Sequence, residues 1–352
     1  MEPFIEINGR RVGSGYPTYI VADMSANHNQ SYEKASKLVR TAKKAGADAI
    51  KLQTYTPDTL TIDCNTDPFR IPSGNTWGGQ TLYELYSKAY TPWEWQPKLK
   101  ELADELGLDC FATPFDYTAV DFLAEMSVPA YKVASFELVD IPLIEYIAKQ
   151  GKPIIMSTGL STLAEIDEAM RTVREIGGNQ VALLHCNSAY PAPPEEMNLR
   201  TIPHMIDLFG VPVGLSDHSL GNAVAISAVS LGACIIEKHF TLSRSEPSPD
   251  SAFSLEPDEF TAMADGIRLV EKALGEINYE PSEHELRSRV FRRSLFVVED
   301  MKDGDKFTED NVRSIRPGNG LAPRFLPDIL GRRASHDIAR GTPLAWSHVD
   351  GR

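Results

Sequence analysis

Eight short, almost uninterrupted apolar runs recur along the chain, and stretches with helical spacing separate them. The runs are TYIVAD (18–23), ADAIKLQ (47–53), LDCFATP (108–114), AYKVAS (130–135), PIIMST (153–158), VALLHCN (181–187), VPVGLSD (211–217) and CIIEKHF (234–240). A strand that is apolar on both faces must be covered on both faces, which is the condition of a parallel sheet wrapped by helices. Intervening segments such as 31–46 and 162–178 carry amphipathic helical spacing and end in Gly, the residue a helix C-terminus prefers. Eight strand–helix units imply an α/β fold of the closed (β/α)8 TIM-barrel type. A doubly wound open sheet is the competitor, and no Gly-rich dinucleotide turn supports it.

At 352 residues the chain is long enough for such a barrel and a small appendage. The opening FIEINGRRVGSG reads as a β-hairpin turning at Asn8-Gly9. A long connection from Thr54 to Thr91 separates the second and third strands, and long βα loops of barrels usually contact substrate. The alternation stops after about Glu276. We expect a barrel domain over 1–278, a charged linker over 279–290 and a small β-rich domain over 291–352. That last part contains a repeat: DMKDGDKFTEDNV (300–312) matches DIARGTPLAWSHV (337–349).

The formal net charge of -14 argues against nucleic acid and anionic membrane as partners. The opening residues lack the apolar core of a secretion signal and no run is long enough to span a bilayer, so a cytoplasmic location is expected. Cys64, Cys110, Cys186 and Cys234 form no CxxC pair, and buried reduced thiols are expected.

Catalytic groups of such barrels sit where strands end. All eight strands end in polar residues: Asp23; Lys51 and Gln53; Thr113; Lys132, Ser135 and then Glu137; Ser157; His185, Asn187, Ser188 and then Tyr190; Ser216, Asp217 and His218; Glu237 and His239. One polar strand end is ordinary, but eight mark a loaded face. The period-two rule puts His218 and His239 on the same side of neighbouring strands about 4.8 Å apart. Two imidazoles at that spacing suit one divalent cation or a hydrogen-bonded pair; Asp217 and Glu237 favour the cation, as acceptors for liganding histidines. Lys51 and Lys132 interrupt apolar strands, where an unpaired ammonium is costly. They serve either to hold phosphate and carboxylate or, in one case, to form a Schiff base.

The ordered motifs ANHNQ, IKLQTY, TPFD, YKVASFE, IIMSTG, HCNSAYPAP, GLSDHSLG and EKHFTL closely resemble the sialic acid synthase family. SIRPGNGLAP resembles the antifreeze-like (SAF) domain that follows the barrel there. SANHNQ, the TLYELY…TPWEW run and YKVASFELVDIPLI are most similar to the pseudaminic acid-forming branch; neuraminate- and legionaminate-forming branches are the alternatives. The resemblance implies metal-dependent condensation of phosphoenolpyruvate with an N-acylated amino sugar, giving a nonulosonic acid and phosphate. It implies His218 and His239 as ligands for Mn2+, Co2+ or Mg2+. Lys51, Gln53, Thr113, Lys132, Ser135, Ser157, Ser188 and Ser216 would line the phosphoenolpyruvate site, and Asp23, Glu137, Tyr190 and Asp250 would serve the sugar. Two positions depart from the family: Asp23 stands where Glu is usual, and Ser188 where the sialic acid branch has Asn. In the family the small domain covers the barrel of the other subunit in a swapped homodimer, so Arg316 would act in trans. Trp77, Tyr83 and Tyr86 on the long loop suggest a sugar less polar than N-acetylmannosamine. A Schiff-base aldolase and a non-catalytic sugar-binding protein are the competing functions.

Overall fold

The computed structural model describes residues 3–351 and divides into two compact units, 1–275 and 276–352. In the first unit, β1 (Phe4–Ile7) and β2 (Arg10–Gly13) form the expected antiparallel hairpin. Asn8 and Gly9 at its tip both have positive φ, as a tight two-residue turn demands. Eight parallel strands then close into a barrel: β3 (Tyr19–Asp23), β4 (Ala49–Thr54), β5 (Asp109–Pro114), β6 (Tyr131–Val133), β7 (Ile154–Ser157), β8 (Val181–Cys186), β9 (Val213–Asp217) and β10 (Ile235–His239). β10 pairs with both β9 and β3, which removes the sheet edge. No helix among the described residues is long and apolar enough to cross a membrane.

Alternation along these strands sorts two cores. Ile20, Ala22, Ile50, Leu52, Val133, Met156, Leu183, Leu215 and Ile236 pack with the surrounding helices. Their neighbours Tyr19, Val21, Ala49, Phe111, Ile155, Ala182, Leu184 and Ile235 form a second cluster, and Ile5, Ile7 and Val12 of the hairpin join it. The barrel interior is therefore filled with apolar side chains, and the hairpin belongs to that filling. Gly214 is required within it, because a Cβ there would collide with the Ile235 carbonyl and Leu184. Continuing each inward series toward the strand C-termini changes its chemistry: Tyr19 and Val21 lead to Asp23, Ala49 to Lys51 and Gln53, Ile155 to Ser157, and Ile235 to Glu237 and His239.

The second unit contains β11 (Ser294–Val297) and β12 (Val312–Ile315) around a small apolar core. The stretch 279–290 belongs with this unit, and Glu283–Arg287 is helical. A capping box between Ser282 and Glu285 starts that turn. The internal repeat is a structural repeat. Met301 and Ile338 pair in a bridge, and Asp300 accepts from the backbone N–H of Arg340 while Asp337 accepts from that of Asp303. Each half thus caps the same turn of the other.

Candidate active site

Above the apolar filling, at the C-terminal ends of the strands, lies a cavity of about 510 Å3. Its floor is an ionic network. Lys51 Nζ lies 2.9 Å from Asp23 Oδ2 and 3.2 Å from Glu237 Oε1, and Lys132 Nζ lies 3.7 Å from the same Glu237 oxygen. Lys132 also donates to Ser157 Oγ at 2.6 Å and to the Val133 carbonyl at 3.1 Å, and Ser216 Oγ donates to Glu237 Oε1 at 3.1 Å. Strand register builds this contact set, since Asp23 pairs with Lys51 across β3–β4 and Ser216 with Glu237 across β9–β10.

Burial disfavours every one of these charges, so the pairing decides their state. Burial pushes the Lys51 ammonium toward neutrality, but Asp23 and Glu237 outweigh it and raise its pKa above the ordinary lysine value. Burial lowers the pKa of Lys132; Glu237 opposes the shift and Lys51 adds to it. Burial acts against ionised Glu237, and Lys132 with Lys51 outweighs it, so its pKa falls. Glu137 has less help: burial lifts its carboxyl to about 7 against the pull of Lys132, and its Oε2 has no hydrogen-bond partner. Burial also raises Asp250, although its carboxylate accepts from Ser25 Oγ and, at 3.2 Å, from the Ala26 N–H.

The histidines stand on one side of this floor with ring centroids 5.3 Å apart. His218 Nδ1 is 2.8 Å from the Asn187 carbonyl, which leaves Nε2 with the free lone pair. His239 Nε2 is 3.5 Å from Asp23 Oδ2, and its Nδ1 is buried without a partner. Burial, with His218 and Lys51 acting in the same direction, holds His239 neutral. Tyr190 lies over His218 at 4.3 Å between centroids and touches Phe253 and Trp77.

Of the residues read from sequence, Asp23, Lys51, Gln53, Lys132, Ser135, Glu137, Ser157, Tyr190, Ser216, His218, His239 and Asp250 all line this one cavity. Thr113 does not; its hydroxyl is buried without a partner. Ser188 stands behind the wall, where it, Ser135 and Cys186 crowd Gly159 so closely that a Cβ there would collide with both hydroxyls. Arg316 belongs to the second unit, where it is exposed and follows β12. One expectation is corrected. Asp217 is no acceptor for the histidines: it alternates to the other face of β9 and pairs with fully buried Lys238 at 2.7 Å. Trp77 and Tyr86 line the cavity, whereas Tyr83 turns away to Asp58.

The NeuB family model matches residues 38–279, and the SAF domain model matches residues 292–350. The pseudaminic acid synthase of Campylobacter jejuni (serotype O:23/36, strain 81-176) is 46% identical over 94% of this chain and 96% of that protein. The chain belongs to the NeuB family, the sialic acid synthases. The pseudaminic acid synthase of Helicobacter pylori is 44% identical, over 95% of this chain and 98% of that protein. Among solved structures, the citrate complex of the Leptospira borgpetersenii N-acetylneuraminic acid synthetase aligns with a TM-score of 0.72 at 30% identity, covering 82% of this chain and 95% of that one.

The resemblance read from the sequence implies a divalent cation, and the donor set here fits one. The imidazoles of His218 and His239 face the cavity beside two carboxylates, and His239 Nδ1 and Glu237 Oε2 are buried without partners. No third protein ligand completes a cluster among the described residues, which leaves coordination positions for water and substrate. The lining also carries four carboxyl groups against Lys51, Lys132 and Arg70, an arrangement that favours an added cation. Sequence reasoning missed Arg70, Tyr55 and Asn75 of the long connection, and it treated Cys186 as an inert core thiol. Cys186 is buried, but its Sγ lies 3.7 Å from His218 Nδ1.

Proposed function

We propose that this NeuB-family enzyme condenses phosphoenolpyruvate with a 2,4-diacetamido-2,4,6-trideoxy-altrose, forming pseudaminic acid and phosphate. The observation that carries the reading is the cavity floor: two buried ammonium groups, ringed by Ser135, Ser157 and Ser216, beneath two histidines and an aromatic wall. Lys51 and Lys132 hold the carboxylate and phosphate of phosphoenolpyruvate as point charges, and the hydroxyls supply directed hydrogen bonds. The sugar lies above, against Tyr190, Trp77 and Asp250. A divalent cation at His218 and His239, manganese, cobalt or magnesium, supplies Lewis acidity toward the sugar's carbonyl oxygen when bound.

In the reaction the methylene carbon of phosphoenolpyruvate forms a bond to the aldehyde carbon of the open-chain sugar, whose oxygen takes up a proton. Water adds to the enol carbon and loses a proton. The resulting tetrahedral centre breaks its C–O bond to phosphate while its hydroxyl gives up its proton to the departing phosphate, leaving the ketone. Glu137 suits the role of base toward water, because burial brings its carboxyl near neutrality and leaves one oxygen unpartnered. Asp23 holds Lys51 in place and keeps its other oxygen on the Ser25 N–H at 3.0 Å. In a homodimer, Arg316 of one copy completes the cavity of the other.

The decisive experiment offers phosphoenolpyruvate with a panel of amino sugars and follows free phosphate. Highest kcat/KM with the diacetamido trideoxy sugar supports the reading; a clear preference for N-acetylmannosamine overturns the choice of sugar. The depressed pKa of Lys132 keeps a Schiff-base aldolase in view. Borohydride trapping of a covalent adduct, with activity indifferent to chelators, would establish that chemistry instead.

A further inference from the structure

We propose that Arg70 is a specificity-determining residue whose guanidinium donates to an acyl carbonyl oxygen of the amino sugar. The inference rests on the reading of the barrel as a condensing enzyme for an N-acylated sugar and names the side chain that reads the acyl group. Three basic side chains line the cavity: Lys51, Lys132 and Arg70. Both lysines are buried and engaged by Asp23 and Glu237. Arg70 is exposed, and no carboxylate among the described residues pairs with it.

Arg70 is held on a built wall. It bridges Thr81 in antiparallel fashion, and the Ile71 N–H donates to the Gln80 carbonyl at 3.0 Å. Thr81 in turn caps the helix Leu82–Ala89, so the base of Arg70 is fixed to a helix that lines the same cavity. The hairpin tip is tied to the barrel loops twice: Thr76 Oγ1 donates to the Tyr190 carbonyl, and Trp77 Nε1 donates to the Pro249 carbonyl at 2.7 Å. Gly78 keeps the hairpin tight, since a Cβ there would lie 2.6 Å from the Pro72 carbonyl oxygen.

The surroundings select the ligand chemistry. Ile71, Pro72, Leu82 and Leu85 give this wall an apolar lining, and Arg70 is its one charged side chain. An acylamino group matches that pairing: its methyl packs on the apolar residues and its carbonyl oxygen accepts from the planar guanidinium fork. The phosphoenolpyruvate anion belongs on the buried lysines of the floor. An exposed guanidinium keeps its hydration on the far side, so it binds a neutral carbonyl with little desolvation cost. A site built to hydrogen-bond a substrate group rejects the analogue that lacks it.

Steady-state kinetics of Arg70→Ala and Arg70→Lys, with both substrates varied, test the assignment. Arg70→Ala should raise the KM for the diacetamido sugar about tenfold, the size of one lost charge-assisted hydrogen bond, with the KM for phosphoenolpyruvate within about twofold of wild type. Arg70→Lys should fall between, having the charge without the fork. Replacing each acylamino group of the sugar in turn by hydroxyl should identify one replacement that costs wild type about tenfold and Arg70→Ala little, the mark of a direct interaction. A KM change confined to phosphoenolpyruvate, or no change in either KM, overturns the assignment while leaving the reaction standing. A wild-type enzyme that releases no phosphate with any N-acylated sugar overturns the reaction and this inference together.

Discussion

Glu137 is a carboxyl whose charge state the fold leaves open near neutral pH. Burial lifts its carboxyl to about 7, so as a base toward water it must lose a proton in that range. We therefore expect kcat/KM to rise with pH up to about 7 and then level, falling about tenfold per unit below that value. Glu137→Gln should abolish the limb and reduce kcat by about 10²- to 10⁴-fold, read from pH profiles of the two proteins. The linkage to stability has the opposite sense. Between the ordinary glutamate range and the raised value, the folded state keeps a proton that the unfolded chain has released, so this group's contribution to stability declines as pH rises. At the same scale, Gly159→Ala should raise the KM for phosphoenolpyruvate with the fold intact, because the added carbon must displace Ser135, Ser188 and Cys186 together; an unchanged KM would remove that cradle from the site. Strand-end polarity announced most of these side chains in the sequence. Gly159 was silent there, because its constraint comes from three residues at and beyond the ends of β6 and β8.

The elements that carry the histidines depend on a pair that faces away from the substrate. Asp217 and Lys238 sit one residue before His218 and His239, on the outer faces of β9 and β10, with side chains fully buried. Asp217 Oδ1 also accepts from the Ser219 N–H at 2.9 Å, and Lys238 donates to the Ser219 carbonyl, so the pair locks the turn that follows β9 to β10. Lys238→Met would leave Asp217 buried and uncompensated, at a cost of about 3–5 kcal/mol. Denaturant titration should show that loss, and the double variant Lys238→Met with Asp217→Leu should regain much of it, since the isolated buried charge is then gone. Period-two alternation placed both histidines correctly from sequence and, applied strictly, also separates Asp217 from them; grouping all polar strand-end residues into one site ignored that the pleat sends every second one outward. The long connection was legible only as long. Its fold-back pairs Arg70 with Thr81 and is anchored by contacts to Tyr190 and Pro249, 114 and 172 residues away in the chain from Thr76 and Trp77, and no local period reveals it.

For the whole molecule, eight apolar runs pointed to a parallel sheet covered on both faces, and the count of eight together with the missing Gly-rich dinucleotide turn favoured the closed barrel over a doubly wound sheet. The repeat in the small unit was equally legible, and its two halves do cap each other. What the second unit does for the first is a question of assembly. The cavity opens at the strand ends, and a condensation that passes through a cationic enol carbon benefits from a cover that controls water. Arg316 is exposed beside the Pro317-Gly318 turn and has no ion-pair partner among the described residues. If it serves the barrel of a second copy, then Arg316→Ala and His218→Ala homodimers should each be nearly inactive. Mixing them under conditions of subunit exchange pairs an intact barrel on one chain with an intact arginine on the other. About half the dimers are then mixed, each with one working site of two, so roughly a quarter of wild-type activity should return by the symmetry of an isologous pair. Phosphate release measured before and after exchange, with mixing verified by differently tagged chains, checks the expectation. Exchange without recovered activity would place Arg316 in cis or outside the reaction.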